Sequence, residues 1–165
     1  MENFIALQGI NGIVLAIIGA ALAIILGGTG SAIGVAIAGR SGTGVLSEKP
    51  ELFGRVLVLQ ALPGTQGIYG FLVGILILVK VGLLGGGAED VSLANGWLLL
   101  SSGAIIGIVG LTSAIFQGKT AASSILMTSK RPEMSARGMT MTALVETYAI
   151  LGLLVAILIW VGVSI

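Results

Sequence analysis

The chain contains no cysteine and no histidine, and only three of its 165 residues are proline. Without cysteine there is no disulfide framework and no thiolate metal site. Without histidine, imidazole ligation of haem and Ser-His or Cys-His catalysis are excluded as well. Charge is scarce too: Asp, Glu, Lys and Arg make up 9% of residues, the net charge is +1, and aromatics account for 5%. No basic stretch of the kind that grips nucleic acid is present. What fills the chain instead is apolar residues (56%) and 27 glycines, with a mean hydropathy of +1.12. That composition is a membrane protein with little outside the bilayer. The glycines predict helices packed backbone to backbone.

Four apolar runs are long enough to cross hydrocarbon, which takes about 20 helical residues. They cover roughly 10–38, 52–84, 96–126 and 139–165. The first is too long for a signal-peptide core of about 7–15 residues and is expected to stay as a span. Between runs lie a polar turn from Arg40 to Pro50, a Gly-rich acidic loop from Gly85 to Asn95 with Glu89 and Asp90, and a basic turn from Thr128 to Glu133. Arg40, Lys49, Arg55, Lys119, Lys130, Arg131 and Arg137 cluster at the two turns, and only Lys80 lies at the opposite end. Basic residues stay inside, so both turns are predicted to be cytoplasmic and the termini and acidic loop outside.

The halves repeat. Glu48-Lys49-Pro50-Glu51 with Arg55 answers Lys130-Arg131-Pro132-Glu133 with Arg137, and at the same offset Gln60 to Gly70 aligns with Thr142 to Gly152. Upstream, Ala38-Gly39-Arg40 answers Gln117-Gly118-Lys119. Each half holds two spans, so the copies share one membrane orientation: a duplicated hairpin, not an inverted repeat. The expected division is a first hairpin over 1–84, an outer loop over 85–95 and a second hairpin over 96–165. The copies differ at one telling position, where Glu146 faces Gly64 in the alignment.

Glu146 sits deep in the last apolar run, and an acid there is a functional site by default. Gln117 lies 14 residues before Arg131 and Glu146 15 after it, so a hairpin rising about 1.5 Å per residue brings them to one level. The repeat places Thr65 and Gln66 at that level, and Leu62, Thr65, Gln66 and Tyr69 fall on one helical face. One carboxylate, two carboxamides, a hydroxyl and a phenol therefore converge, all hard oxygen donors suited to a small desolvated cation. A proton carrier would need little beyond the carboxyl group. The plainer alternatives are a protonated acid serving as helix glue, glutamines bonded across helices, and Pro63 as a packing kink that orphans the carbonyl of Leu59. Gly19, Ala23 and Gly27, continued by Gly30, Gly34 and Ala38, and in the third run Gly103 and Gly107, predict a tight layer of spans one and three with two and four outside it.

With the duplicated hairpin, the basic turns and the Glu in Ala143-Leu144-Val145-Glu146-Thr147-Tyr148-Ala149-Ile150-Leu151-Gly152, the whole chain resembles the proteolipid (K or c) subunits of V-type rotary ATPases. Leu62-Pro63-Gly64-Thr65-Gln66-Gly67-Ile68-Tyr69-Gly70 together with Gln117-Gly118-Lys119 is similar to the sodium-translocating bacterial type. The resemblance implies one Na+ per chain, held by Glu146, Gln66, Gln117, the Thr65 hydroxyl and the Leu62 carbonyl, with Tyr69 hydrogen-bonded to the carboxylate. It also implies an all-α, homo-oligomeric rotor ring in the cell membrane, non-catalytic by itself. Its partners would be identical copies, a stator membrane subunit with an essential arginine, central-stalk subunits and the lipid bilayer. Rivals are the same rotor carrying H+, a small secondary ion-coupled transporter, and a purely structural proteolipid.

Overall fold

The computed structural model describes residues 11–85 and 90–165, all helix and turn. Four helical spans cross the molecule: α1 (Gly12–Glu48); α2 (Phe53–Ala61) and α3 (Thr65–Lys80), which with their flanking 3-10 turns form the second; α4 (Leu93–Lys130); and α5 (Ser135–Gly162). The chain is an all-α membrane protein. Glu2 and Glu89 lie outside the described residues; Asp90 is described and exposed.

Several boundaries depart from the sequence reading: α4 starts at Leu93, inside the expected loop, and runs to Lys130, past Leu126 and through Thr128–Lys130 of the expected basic turn. Arg40 to Pro50 is not a polar turn: α1 continues through Arg40, Ser41, Gly42, Thr43 and Gly44 to Glu48. Polar residues and glycines lower helix propensity but do not stop a helix already propagating. The stop comes from Pro50, which drives Lys49 out of the helical region to φ −135°, ψ 69°. Pro132 does the same to Arg131, at φ −140°, ψ 89°. A 3-10 turn follows each, Pro50–Leu52 and Pro132–Met134, so the duplication holds down to backbone angles. At the other end the second span stops at Lys80, not Leu84, because Gly82 takes φ 76° and lets the Leu83 N–H reach back to the Leu78 carbonyl at 3.1 Å.

α1 and α4 lie backbone on backbone. A Cβ built on Gly19 would meet Leu100 Cα at 2.6 Å, on Gly34 the Ala114 carbonyl at 2.3 Å, and on Gly103 the Gly19 carbonyl at 2.0 Å. The expected inner layer is therefore present. The Gly19–Ala23–Gly27 face is shared, however: Gly19 meets α4, while Gly27 and the Ala23 carbonyl meet α3 at Gln66 and Gly70. Outside this layer α5 exposes Leu144, Leu151, Leu158 and Val161 to the bilayer.

Cross-links between hairpins close both ends. Lys49 Nζ donates to the Ser129 carbonyl and Arg55 Nη1 to the Pro132 carbonyl at 2.7 Å, so the basic side chains of one turn bind the backbone of the other. At the far end Lys80 Nζ donates to the Trp160 carbonyl and lies 4.4 Å from its ring, while Trp160 Nε1 donates to the Leu76 carbonyl at 2.9 Å. Lys49→Met is expected to lower unfolding stability by about 1 kcal/mol, the size of one lost charged hydrogen bond that is partly exposed. Hydrogen exchange should then quicken first at Ser129–Arg131; unchanged exchange there would mean the lysine ties nothing down.

Most of the buried apolar residues form two clusters. One gathers Val73, Ile77, Leu99, Ile106 and Ala156; the other gathers Val45, Leu52, Val56, Leu59 and Ile125. Gln66 and Gln117, both fully buried, belong to neither cluster.

Candidate cation site

The second span bends its hydrogen bonding where the polar residues begin. Pro63 has no N–H to give Leu59, and residues Leu62–Gly64 tighten into a 3-10 turn. The Leu62 carbonyl accepts from the Thr65 N–H, three residues on, as a 3-10 turn has it. Thr65 Oγ1 lies 3.1 Å from that carbonyl oxygen and 3.3 Å from Gln66 Oε1. The hydroxyl carries one proton, and two acceptor oxygens face it. Three oxygens thus share a corner of the site, facing the Thr65 hydroxyl proton and, at the Leu62 carbonyl, the Thr65 N–H.

The second hairpin contributes from the other side. Gln117, on α4, donates through Nε2 to the Thr142 carbonyl at 3.2 Å and to Glu146 Oε2 at 3.4 Å. Tyr69 OH donates to Glu146 Oε1 at 2.5 Å, within the range of a hydrogen bond to an ionised carboxylate. Both partners of the carboxylate are neutral. Glu146 is partly buried in the single chain, at the seam of α3, α4 and α5. Hydrogen bonds link the six residues singled out in the sequence in one chain, from Leu62 through Thr65, Gln66, Gln117 and Glu146 to Tyr69.

The two carboxamides also meet each other: Gln66 Nε2 donates to Gln117 Oε1 at 2.6 Å. The Gln117 oxygen is thereby engaged by a donor, whereas among the described residues Gln66 Oε1 faces the Thr65 hydroxyl alone. Ser113 is a further member that the sequence reading does not single out. Its Oγ accepts from Gln66 Nε2 at 3.2 Å and donates to the Val145 carbonyl at 3.1 Å, so it orients the Gln66 amide with its oxygen toward Thr65. A signal for it exists, since Ser113 precedes Gln117 by four residues and shares its face. Ser31 is another; its Oγ takes the Gly67 N–H at 2.7 Å and pins the kinked segment to α1.

The family profile of the ATP synthase C subunit matches this chain twice, over residues 18–77 and 100–159. The V-type sodium ATPase subunit K of Enterococcus hirae is 41% identical over 158 residues, covering 96% of this chain and 97% of that one. The A-type ATP synthase subunit K of Methanocaldococcus jannaschii is also 41% identical, over 93% of this chain and 65% of its own length. The 16 kDa proteolipid of the human V-type proton ATPase is 26% identical over 87% of this chain and 88% of its own.

Proposed function

Because the chain belongs to the family of the ATP synthase C subunit, we propose that it is the membrane rotor-ring subunit of a V-type sodium ATPase, binding one Na+ at Glu146 and carrying it across the membrane as the ring turns. It has no catalytic role of its own; ATP hydrolysis in the soluble part of the complex supplies the work. Glu146 furnishes the charge, and Gln66 Oε1, Thr65 Oγ1 and the Leu62 carbonyl furnish neutral oxygens, while Tyr69 holds the carboxylate in place; Gln117 adds its own Oε1 once that oxygen gives up the Gln66 amide and its Nε2 turns from the carboxylate. The site belongs to the cargo, not to a resident cofactor.

The observation that carries the reading is the oxygen cluster of Leu62, Thr65 and Gln66, joined through the Gln66–Gln117 amide pair to a carboxylate whose hydrogen-bond partners among the described residues are neutral. Crowded acceptors short of donors favour a cation among them. Charge count selects the class: among the described residues no three His, Cys, Asp or Glu side chains group together, and one carboxylate neutralises one monovalent ion. A neutral ion–carboxylate pair can face lipid; a bare carboxylate cannot. Release then requires a competing cation, the role of an arginine on the stator subunit. The basic turns would face the cytoplasm and the central stalk, with the segment 85–95 joining the two hairpins outside.

The Gln66–Gln117 amide pair favours a second reading, in which the amides satisfy each other and Glu146 carries H+. Labelling of Glu146 by a carboxyl-reactive carbodiimide separates the two. Under the sodium reading, Na+ protects Glu146 and shifts the pH profile of labelling. Gln66→Leu is expected to weaken that protection by roughly 10- to 100-fold, the scale of about 1.5–3 kcal/mol for a lost contact to a charge. Labelling indifferent to Na+ at every pH would leave only the proton carrier.

A further inference from the structure

We infer that Ser113 is a positioning residue for sodium, whose hydroxyl retains the Gln66 amide nitrogen while the Gln117 oxygen leaves it for the ion. The inference rests on the sodium reading above and names the residue that lets the amide pair open.

Two backbone carbonyls fix the direction of this network, since a carbonyl can only accept. The Thr142 carbonyl takes Gln117 Nε2 at 3.2 Å, which turns Gln117 Oε1 toward Gln66. The Val145 carbonyl takes the Ser113 hydroxyl proton at 3.1 Å, which leaves Ser113 Oγ only lone pairs to offer Gln66. Gln66 therefore presents its amide nitrogen to both, at 2.6 Å to Gln117 Oε1 and 3.2 Å to Ser113 Oγ, two acceptors for its two protons. All three side chains are buried, the two glutamines completely and Ser113 with 6% exposed.

Loading upsets that match. Once Gln117 Oε1 turns to the cation, Gln66 Nε2 loses its shorter hydrogen bond, and Ser113 Oγ is the partner that stays. The hydroxyl is held from α5, through the residue before Glu146, so it does not move with Gln117. A buried amide donor without an acceptor is costly. In the absence of Ser113 that cost falls on the sodium-loaded site alone. The empty or protonated site keeps the amide pair, because a proton on Glu146 needs no oxygen from Gln117.

Ser113 also differs from the other hydroxyls of α4. Thr112, Thr120 and Ser123 return theirs to the backbone of their own helix, whereas Ser113 reaches across to α3 and α5. The duplication sets it apart in the same way as the acid. At the offset of 79 that pairs Gln117 with Ala38, Ser113 answers Gly34, so the hairpin without the carboxylate lacks this hydroxyl too. Gly34 has no room for one: a Cβ there would meet the Ala114 carbonyl at 2.3 Å and Pro63 Cβ at 2.9 Å.

Carbodiimide labelling of Glu146 across a Na+ series at one pH, in membranes holding the complex, tests the assignment. Ser113→Ala should raise the Na+ concentration that half-protects Glu146 by about tenfold, the scale of one buried donor left without its acceptor. The labelling rate without Na+ should not change. Combined with Gln66→Leu, the same substitution should add nothing to the effect of Gln66→Leu alone, since no amide remains to be positioned. An unchanged half-protecting concentration in Ser113→Ala, with the unmodified protein protected by Na+, would overturn the inference and leave the sodium reading standing. An equal rise with and without Gln66 would overturn it too, as would an altered labelling rate in the absence of Na+, because a hydroxyl that only packs the helices does not act through Gln66. Labelling of the unmodified protein that ignores Na+ would remove the sodium reading and this inference with it.

Discussion

Glu146→Gln is expected to abolish sodium-coupled transport while leaving the chain folded. Glutamine keeps the shape of the side chain and an oxygen for the Tyr69 hydroxyl, which now stands 2.5 Å from Oε1. It removes the carboxylate from this level, and with it the charge that offsets dehydration of the cation. Removing one member of a buried charge pair costs about 3–5 kcal/mol, since the remaining ion is left uncompensated. That corresponds to roughly 100- to 4,000-fold weaker binding. Measured as radioactive sodium uptake into vesicles with the reconstituted complex, transport should fall to background, and ATP hydrolysis should lose its response to Na+. The thermal midpoint of the solubilised protein should move little. Sodium uptake that survived in this variant would place the ion path elsewhere and reduce Glu146 to a hydrogen-bond acceptor between helices.

Gly103→Val should be the most damaging change away from the site. A single added methyl at Gly103 would already stand 2.0 Å from the Gly19 carbonyl oxygen and 2.4 Å from its carbon. That neighbour is backbone, and it cannot rotate aside as a side chain would. Nor can the two helices part locally, because the approaches at Gly30, Gly34, Gly96 and Gly118 clamp the same pair along its length. Overpacking a well-filled interior typically costs 1–3 kcal/mol, and here about 3 kcal/mol or more is expected. The midpoint of thermal unfolding should drop by about 10 °C, or the protein should fail to accumulate in the membrane. Gly54→Ala is the matched control: nothing lies within 4 Å of its added Cβ, and in the first turn of α2 alanine should gain less than the roughly 0.5–1 kcal/mol it gains over glycine in mid-helix. If Gly103→Val were as stable as Gly54→Ala, the inner layer would not be closed by backbone contact.

The parts legible in the sequence are those that depend on counting along a regular helix. Gln117, Glu146, Gln66 and Tyr69 can be brought to one level from their distances to the prolyl turns, because an α-helix rises by the same amount for every residue. The four spans, the duplication and the sidedness of charge follow from composition and spacing alone. The extent of α1 is not legible in the same way. Arg40 to Glu48 looks like a loop by residue type, yet what ends the helix is the steric effect of Pro50 on Lys49, and everything before it stays helical.

Which oxygens are free at the site was decided only by the tertiary structure. A carboxamide carries a donor and an acceptor on one planar group, and which faces the ion depends on its other neighbours. Ser113, on a helix of the other hairpin, takes the Gln66 amide nitrogen together with Gln117 and so leaves the Gln66 oxygen toward Thr65. The Leu62 carbonyl joins them because the 3-10 turn at Pro63 redirects it. The sequence by itself determined that polar groups gather around one acid at mid-membrane, since their depth is set by residue count. The packing of α3 against α4 and α5, over fractions of an ångström, determined how their protons are shared, because hydrogen bonds are short and directional where helical rise is uniform.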